Sequence, residues 1–131
     1  MDLMQRLQTR LPAFPKFLGI TFIEATAERL VAEMQVRPDM SNGNDTIHGG
    51  ALMAFADTLG AVATIINLPD GKATATLESK TNFIAPAPVG TTLTGETVPL
   101  HRGRRTQVWE TRISTADGRL VAKVTQTQMV L

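Results

Sequence analysis

Residues 51 to 66 read Ala-Leu-Met-Ala-Phe-Ala-Asp-Thr-Leu-Gly-Ala-Val-Ala-Thr-Ile-Ile, an apolar run broken by a single charge, Asp57. A stretch of about four helical turns with this composition is built to be buried on every side, so the rest of the chain has to wrap it. An unpaired ionised carboxylate in such surroundings costs several kcal/mol, and Asp57 therefore needs a partner or a task.

The material for the wrapping is β-patterned. After Pro69-Asp70-Gly71, four segments alternate apolar and polar residues with period two, at about 73 to 83, 91 to 100, 105 to 115 and 120 to 130. Turn formers at Pro86 to Gly90, Arg102 to Arg104 and Ala116-Asp117-Gly118 separate them. Upstream, Phe17 to Arg37 reads as a β-hairpin turning at Thr26-Ala27-Glu28, and residues 38 to 47 form a polar loop. Leu3, Met4, Leu7 and Leu11 sit at helical spacing in a leading helix over 2 to 11, which Pro12 and Pro15 are expected to stop. The pattern predicts one α+β domain over 1 to 131, with 1 to 16 as a leading helix and turn and a curved antiparallel sheet wrapping the long helix. A second copy of the chain is the cheapest cover for what the sheet leaves bare, and a free sheet edge invites pairing across a dimer.

Several functional classes are excluded by composition. With no cysteine there are no disulfides, thiolate nucleophiles or Cys-based zinc sites, and two histidines, His48 and His101, are too few for most transition-metal centres. A net charge of +1 gives no general attraction to nucleic acid. The apolar run is short for a membrane span and carries Asp57, and the first residues lack the basic-then-apolar pattern of a secretory signal, so a cytoplasmic protein is expected.

Chemistry concentrates where the loop meets the helix. Gly49 and Gly50 leave backbone N–H groups without intrahelical partners at the positive end of the helix dipole, which suits a carbonyl oxygen becoming an anion, although two glycines also simply permit a tight turn. Asp57 is either a buried structural carboxylate or a general base or nucleophile whose pKa burial would raise. From Gly50 to Asp57 is about 10 Å along a helix axis, too far for both to act on one carbonyl from one helix. Two antiparallel copies would bring the Gly49 end of one near Asp57 of the other, making the dimer the catalytic unit. Arg102, Arg104 and Arg105 around Gly103 are either a solvated turn or a phosphate-binding cluster.

The run Asn42-x5-His48-Gly49-Gly50-x6-Asp57, then Asn82-Phe83-Ile84-Ala85-Pro86 with Gly90, then Gly103-Arg104-Arg105, resembles the hotdog-fold acyl-CoA thioesterases of the 4-hydroxybenzoyl-CoA thioesterase superfamily, most closely their PaaI-like, phenylacetate-degradation branch. The resemblance extends over nearly everything from residue 17 onward. It implies a hotdog fold, a dimer with sheets joined edge to edge, usually a tetramer, and hydrolysis of an acyl-CoA to free acid and CoA without metal or organic cofactor. By position, Asp57 matches the base or nucleophile, Gly49 the N–H that polarises the thioester carbonyl, and Asn42 a side chain orienting thioester or water opposite Asp57 of the partner subunit. Thr76 falls where relatives place the hydroxyl that holds the attacking water. Another hotdog branch has Glu at the Asp57 position and Thr one turn later; here that later position is Ala61. His48 either braces the loop or takes part, and Gly50 with Arg102, Arg104 and Arg105 are the candidates for binding CoA.

The rival readings are a hotdog hydratase or dehydratase, whose His-and-acid motif is absent, and a non-catalytic acyl-CoA-binding module. The acyl pocket is expected to be lined by Leu52, Phe55 and Leu59 with residues of the leading helix, apolar enough for aryl or medium-chain groups.

Overall fold

A computed structural model describes residues 1 to 131. Helix α1 (Leu3–Thr9) starts at a capping box in which Asp2 and Gln5 exchange side-chain-to-backbone hydrogen bonds of 2.8 and 3.0 Å. The leading helix stops before Pro12, as expected, but the helical region does not end there. Pro12 is the N-cap of a second helix, α2 (Ala13–Leu18), and Pro15 lies in its first turn, where no intrahelical N–H is required. Gly19, at φ 76°, closes that helix in the left-handed conformation, so the hairpin begins later than its period-two pattern suggested.

The sheet comprises β1 (Thr21–Ala25), β2 (Leu30–Gln35), β3 (Thr74–Phe83), β4 (Thr92–Arg102), β5 (Thr106–Thr115) and β6 (Leu120–Val130), all antiparallel in the order β1-β2-β4-β5-β6-β3. The four downstream segments match the alternation in the sequence to within two residues at either end. The long helix α3 (Gly49–Ile66) touches β2, β3, β4, β5 and β6, which is the wrapped helix of the hotdog architecture. The loop before it contains one 3-10 turn, Pro38–Met40.

Helix and sheet approach closely at two glycines. A Cβ on Gly95 of β4 would lie 2.6 Å from Leu59 Cδ1, and one on Gly60 of α3 would lie 2.2 Å from the amide carbon of Gln126 on β6. The space lets Phe55, Leu59, Trp109 and Ile113 pack fully buried, each large apolar side chain contributing about 1.5–3 kcal/mol. Trp109 satisfies its indole N–H on Thr64 Oγ1 at 2.9 Å, and that hydroxyl donates to the Gly60 carbonyl at 2.8 Å.

The two sheet edges are treated differently. At β1, the Gln8 side chain from α1 donates to Ile20 O at 2.8 Å and accepts from Phe22 N at 2.9 Å, pairing with the edge as a strand would. At β3 nothing in the chain covers the outer side, and Leu77 and Phe83 are exposed there.

α3 is not enclosed on every side by its own chain. Leu52, Phe55, Ala56, Leu59, Gly60, Val62, Ala63 and Thr64 are buried, while Met53, Asp57 and Ile65 line up on an exposed stripe. Within one chain Asp57 is exposed, on a side of the helix that the sheet leaves bare. Its side of the helix faces outward beside the open edge strand.

Candidate active site at the helix start and the open sheet edge

His48 is the N-cap of α3, and its Nδ1 accepts from Gly50 N at 2.8 Å. This bond engages the Gly50 N–H, so Gly50 is not the free donor that the sequence suggested. Ala51 N donates to the His48 carbonyl at 2.9 Å, whereas the Gly49 N–H has no partner in the chain. The ring of Phe83, at the end of β3, packs on Gly49, where a Cβ would meet it at 3.0 Å.

A cleft opens beside Gly49, lined by Asn42, Thr46, Leu52, Phe83, Ile84 and Pro86 among others. Asn42 is held by its own loop. Its Oδ1 accepts from Asn44 N at 2.8 Å and its Nδ2 donates to Thr46 Oγ1 at 2.9 Å. The amide is thus presented in a fixed orientation at the cleft that Gly49 shares. Of the residues expected to line an acyl pocket, only Leu52 reaches this cleft. Phe55 and Leu59 are fully buried against Gly95, on the sheet-facing side of α3. The leading helix instead borders a separate groove with Val62, Ile65 and Ile66 at the other end of α3.

Asp57 lies two turns beyond Gly49, and Thr76 Oγ1 of β3 donates to its Oδ1 at 2.6 Å. Thr76 sits at the one irregularity in the β3–β6 pairing, between Thr76 and Glu78, which re-aims a side chain of the edge strand. Behind Thr76 lie two fully buried glutamines that the sequence reading did not single out, Gln126 and Gln128. They fall on the same face of β6 as Ala122 and Val124, so the period-two pattern carried the signal: polar residues at core positions.

The arginine turn lies at the far end of α3. Arg102 and Arg104 line a cleft of ≈ 440 Å³ with Lys72, Asn67 and Gln107, and Arg105 is exposed on the same turn. Arg102 is committed to the fold, its Nη1 donating to Ala27 O at 3.1 Å and Asn67 Oδ1 at 3.4 Å with Glu28 3.6 Å away. Lys72 is a cation of this cleft that sequence spacing did not indicate. No three His, Asp or Glu side chains converge at metal-ligating distances.

Comparison with known proteins agrees with this geometry. A family model for the thioesterase superfamily matches residues 44 to 122. The proofreading thioesterase EntH of Klebsiella pneumoniae is 34% identical over 102 residues, covering 78% of this chain and 74% of that protein. The PaaI protein of the Escherichia coli phenylacetic acid degradation operon superposes with a TM-score of 0.88 at 28% identity, covering 98% of this chain and 91% of that one. A hypothetical thioesterase of Streptococcus pneumoniae TIGR4, solved with coenzyme A, superposes with a TM-score of 0.79 at 26% identity, covering 85% and 87%. A helix wrapped by an antiparallel sheet is thus the frame of a thioester hydrolase. The chain belongs to the thioesterase superfamily.

Proposed function

We propose that this chain hydrolyses acyl-CoA thioesters bearing an aryl or medium-chain acyl group, giving free acid and CoA, and that its working unit is a homodimer. The observation that carries the reading is the unpartnered Gly49 N–H at the start of the helix that, two turns on, presents Asp57 hydrogen-bonded to Thr76. The N–H and the helix dipole suit the charge that develops on the thioester oxygen. Asp57 attacks the carbonyl carbon or takes the proton of a water that attacks it. If water attacks, its oxygen–carbon bond forms as the carbon–sulfur bond breaks, and the proton taken by Asp57 passes to the departing thiolate of CoA. If Asp57 attacks, the acyl group passes from sulfur to its carboxylate as a mixed anhydride. A water then hydrolyses the anhydride to the free acid, restoring Asp57 and supplying the proton that the thiolate takes up.

Groups about 12 Å apart along one helix do not meet at one carbon, so each site pairs Gly49 of one chain with Asp57 of the other. The exposed stripe of Met53, Asp57 and Ile65 and the open β3 edge with Leu77 and Phe83 support a two-fold arrangement in which β3 pairs with its copy. Two such dimers would complete a homotetramer. Asn42, fixed at the Gly49 cleft, orients the thioester or the water, and His48 holds the turn that points Gly49 N–H outward.

Coenzyme A in the Streptococcus pneumoniae relative supports the CoA moiety as leaving group. Lys72, Arg104 and Arg105 supply exposed cations for its phosphates, while Arg102 holds the wall of their cleft. Thiol release across a panel of aryl, short, medium and long acyl-CoAs tests the reading on wild type and Asp57→Ala. At least one good substrate and a loss of about a hundredfold or more in kcat are expected. Unchanged turnover in Asp57→Ala would sink it.

A further inference from the structure

The hydrogen bond from Thr76 to Asp57 is the last link of a chain of bonds whose direction is set by the backbone. The Ala56 carbonyl can only accept, and Gln126 Nε2 donates to it at 2.8 Å. That turns the Gln126 oxygen toward Gln128, whose Nε2 donates to it at 2.6 Å and to Thr76 Oγ1 at 2.7 Å. The Gln128 oxygen faces Thr74 Oγ1 at 2.9 Å, whose single proton it shares with the Met129 carbonyl, also at 2.9 Å. A flipped Gln128 would set two carbonyl oxygens against each other and leave Thr76 facing an acceptor. With Gln128 donating into the Thr76 hydroxyl, the single Thr76 proton is left for Asp57 Oδ1, 2.6 Å away.

Both glutamines are fully buried, and Gly60 is the gap that admits the Gln126 amide against the helix. Burying two amides on a core face is costly unless each of their bonds is made, and here the bonds form one oriented series ending at an exposed carboxylate. We infer that Gln128, fixed by Gln126, is a positioning residue for hydrolysis. It locks the Thr76 proton onto Asp57 Oδ1, leaving Oδ2 and the remaining Thr76 lone pair to face the substrate or its water. The inference rests on the catalytic reading of Asp57 above.

The test is a double-mutant cycle. Gln128→Met keeps length and loses the donor, and Gln128→Glu keeps shape but presents an acceptor that draws the Thr76 proton away from Asp57. Each lowers kcat about tenfold or more, about 1.4 kcal/mol, with KM changed less than about twofold. In a Thr76→Val background neither substitution lowers kcat further, because the hydroxyl it steers is gone. A residue that acted only through packing would lower stability and kcat additively in both backgrounds. Should Gln128→Met fold poorly by thermal melting, the isosteric Gln128→Glu gives the same reading. Wild-type kcat in a folded Gln128 variant, or full additivity with Thr76→Val, overturns the positioning role. Asp57→Ala assayed alongside separates the failures: turnover retained there overturns the catalytic reading, whereas an inactive Asp57→Ala with a fully active Gln128→Met overturns the positioning role alone.

Discussion

The Thr76 hydroxyl and the Asp57 carboxylate, on an edge strand and a central helix 19 residues apart in sequence, meet at 2.6 Å on the uncovered side of the fold. Neither is buried within one chain, so their pairing does not serve to fill the core. It fixes which carboxylate oxygen is engaged and which is free. Thr76→Val, which removes the donor to Asp57 and the acceptor for the buried Gln128 Nε2 at nearly constant volume, is expected to lower kcat about tenfold and stability by about 1–3 kcal/mol. Thr76→Ser, which keeps the hydroxyl, should retain most of the rate, and steady-state kinetics with the best acyl-CoA checks both.

Gly60 is expected to tolerate no side chain. A Cβ there falls 2.2–2.4 Å from the Gln126 amide atoms, so Gly60→Ala must displace Gln126 or lift α3 from β6. Overpacking of this kind costs about 1–3 kcal/mol, more than the helix gains from replacing glycine by alanine. Urea unfolding measures the loss, and kcat should fall with it because the Ala56–Gln126 bond anchors Gln128.

His48→Ala removes the acceptor for the Gly50 N–H and should destabilise the protein by about 1 kcal/mol. Asn is also an N-cap acceptor, so His48→Asn should recover most of that stability. Recovery of kcat together with stability in His48→Asn marks the imidazole as a brace; recovery of stability alone marks it as part of the chemistry. The bracing geometry predicts the first result.

How much of this was legible in the sequence differs by element. The strands from residue 74 onward were legible because apolar and polar residues alternate there and glycine or proline marks each turn. The second helix was not, because proline reads as a stop, although at an N-cap and in a first turn it costs a helix nothing. Which face of the apolar run the sheet encloses was not legible, because Met53 and Ile65 on the exposed stripe with Asp57 are as apolar as the sheet-facing positions. Thr76 is singled out in the sequence only by the resemblance, as a hydroxyl that holds a water; its contact with Asp57 across 19 residues has no local signal. Gln126 and Gln128 escaped notice because each looks like an ordinary strand residue until the alternation of β6 is followed inward.

Lys72 and Arg104, on one cleft at the end of α3 remote from the Gly49 cleft, should govern binding rather than chemistry. Lys72→Ala and Arg104→Ala together are expected to raise KM for acyl-CoA about tenfold while leaving kcat within about twofold. The effect should shrink with added salt, and it should vanish with the matching acyl-pantetheine thioester, which lacks the nucleotide phosphates.

If each site is assembled from two chains, mixing two disabled variants restores activity. Asp57→Ala removes the carboxylate, and Gly49→Pro removes the one N–H left open at the helix start, at a first helical position that suits proline once the exposed Phe83 ring, 3.0 Å from the new Cβ, turns aside. Each variant alone should be nearly inactive. After subunit exchange at equal amounts, about half of the dimers are mixed, and each mixed dimer regains one of its two sites because intact Gly49 on one chain meets intact Asp57 on the other. Recovery of about a quarter of wild-type specific activity is expected in the thiol-release assay. A mixture that exchanges subunits yet stays at the level of the separate variants would contradict a site assembled from two chains.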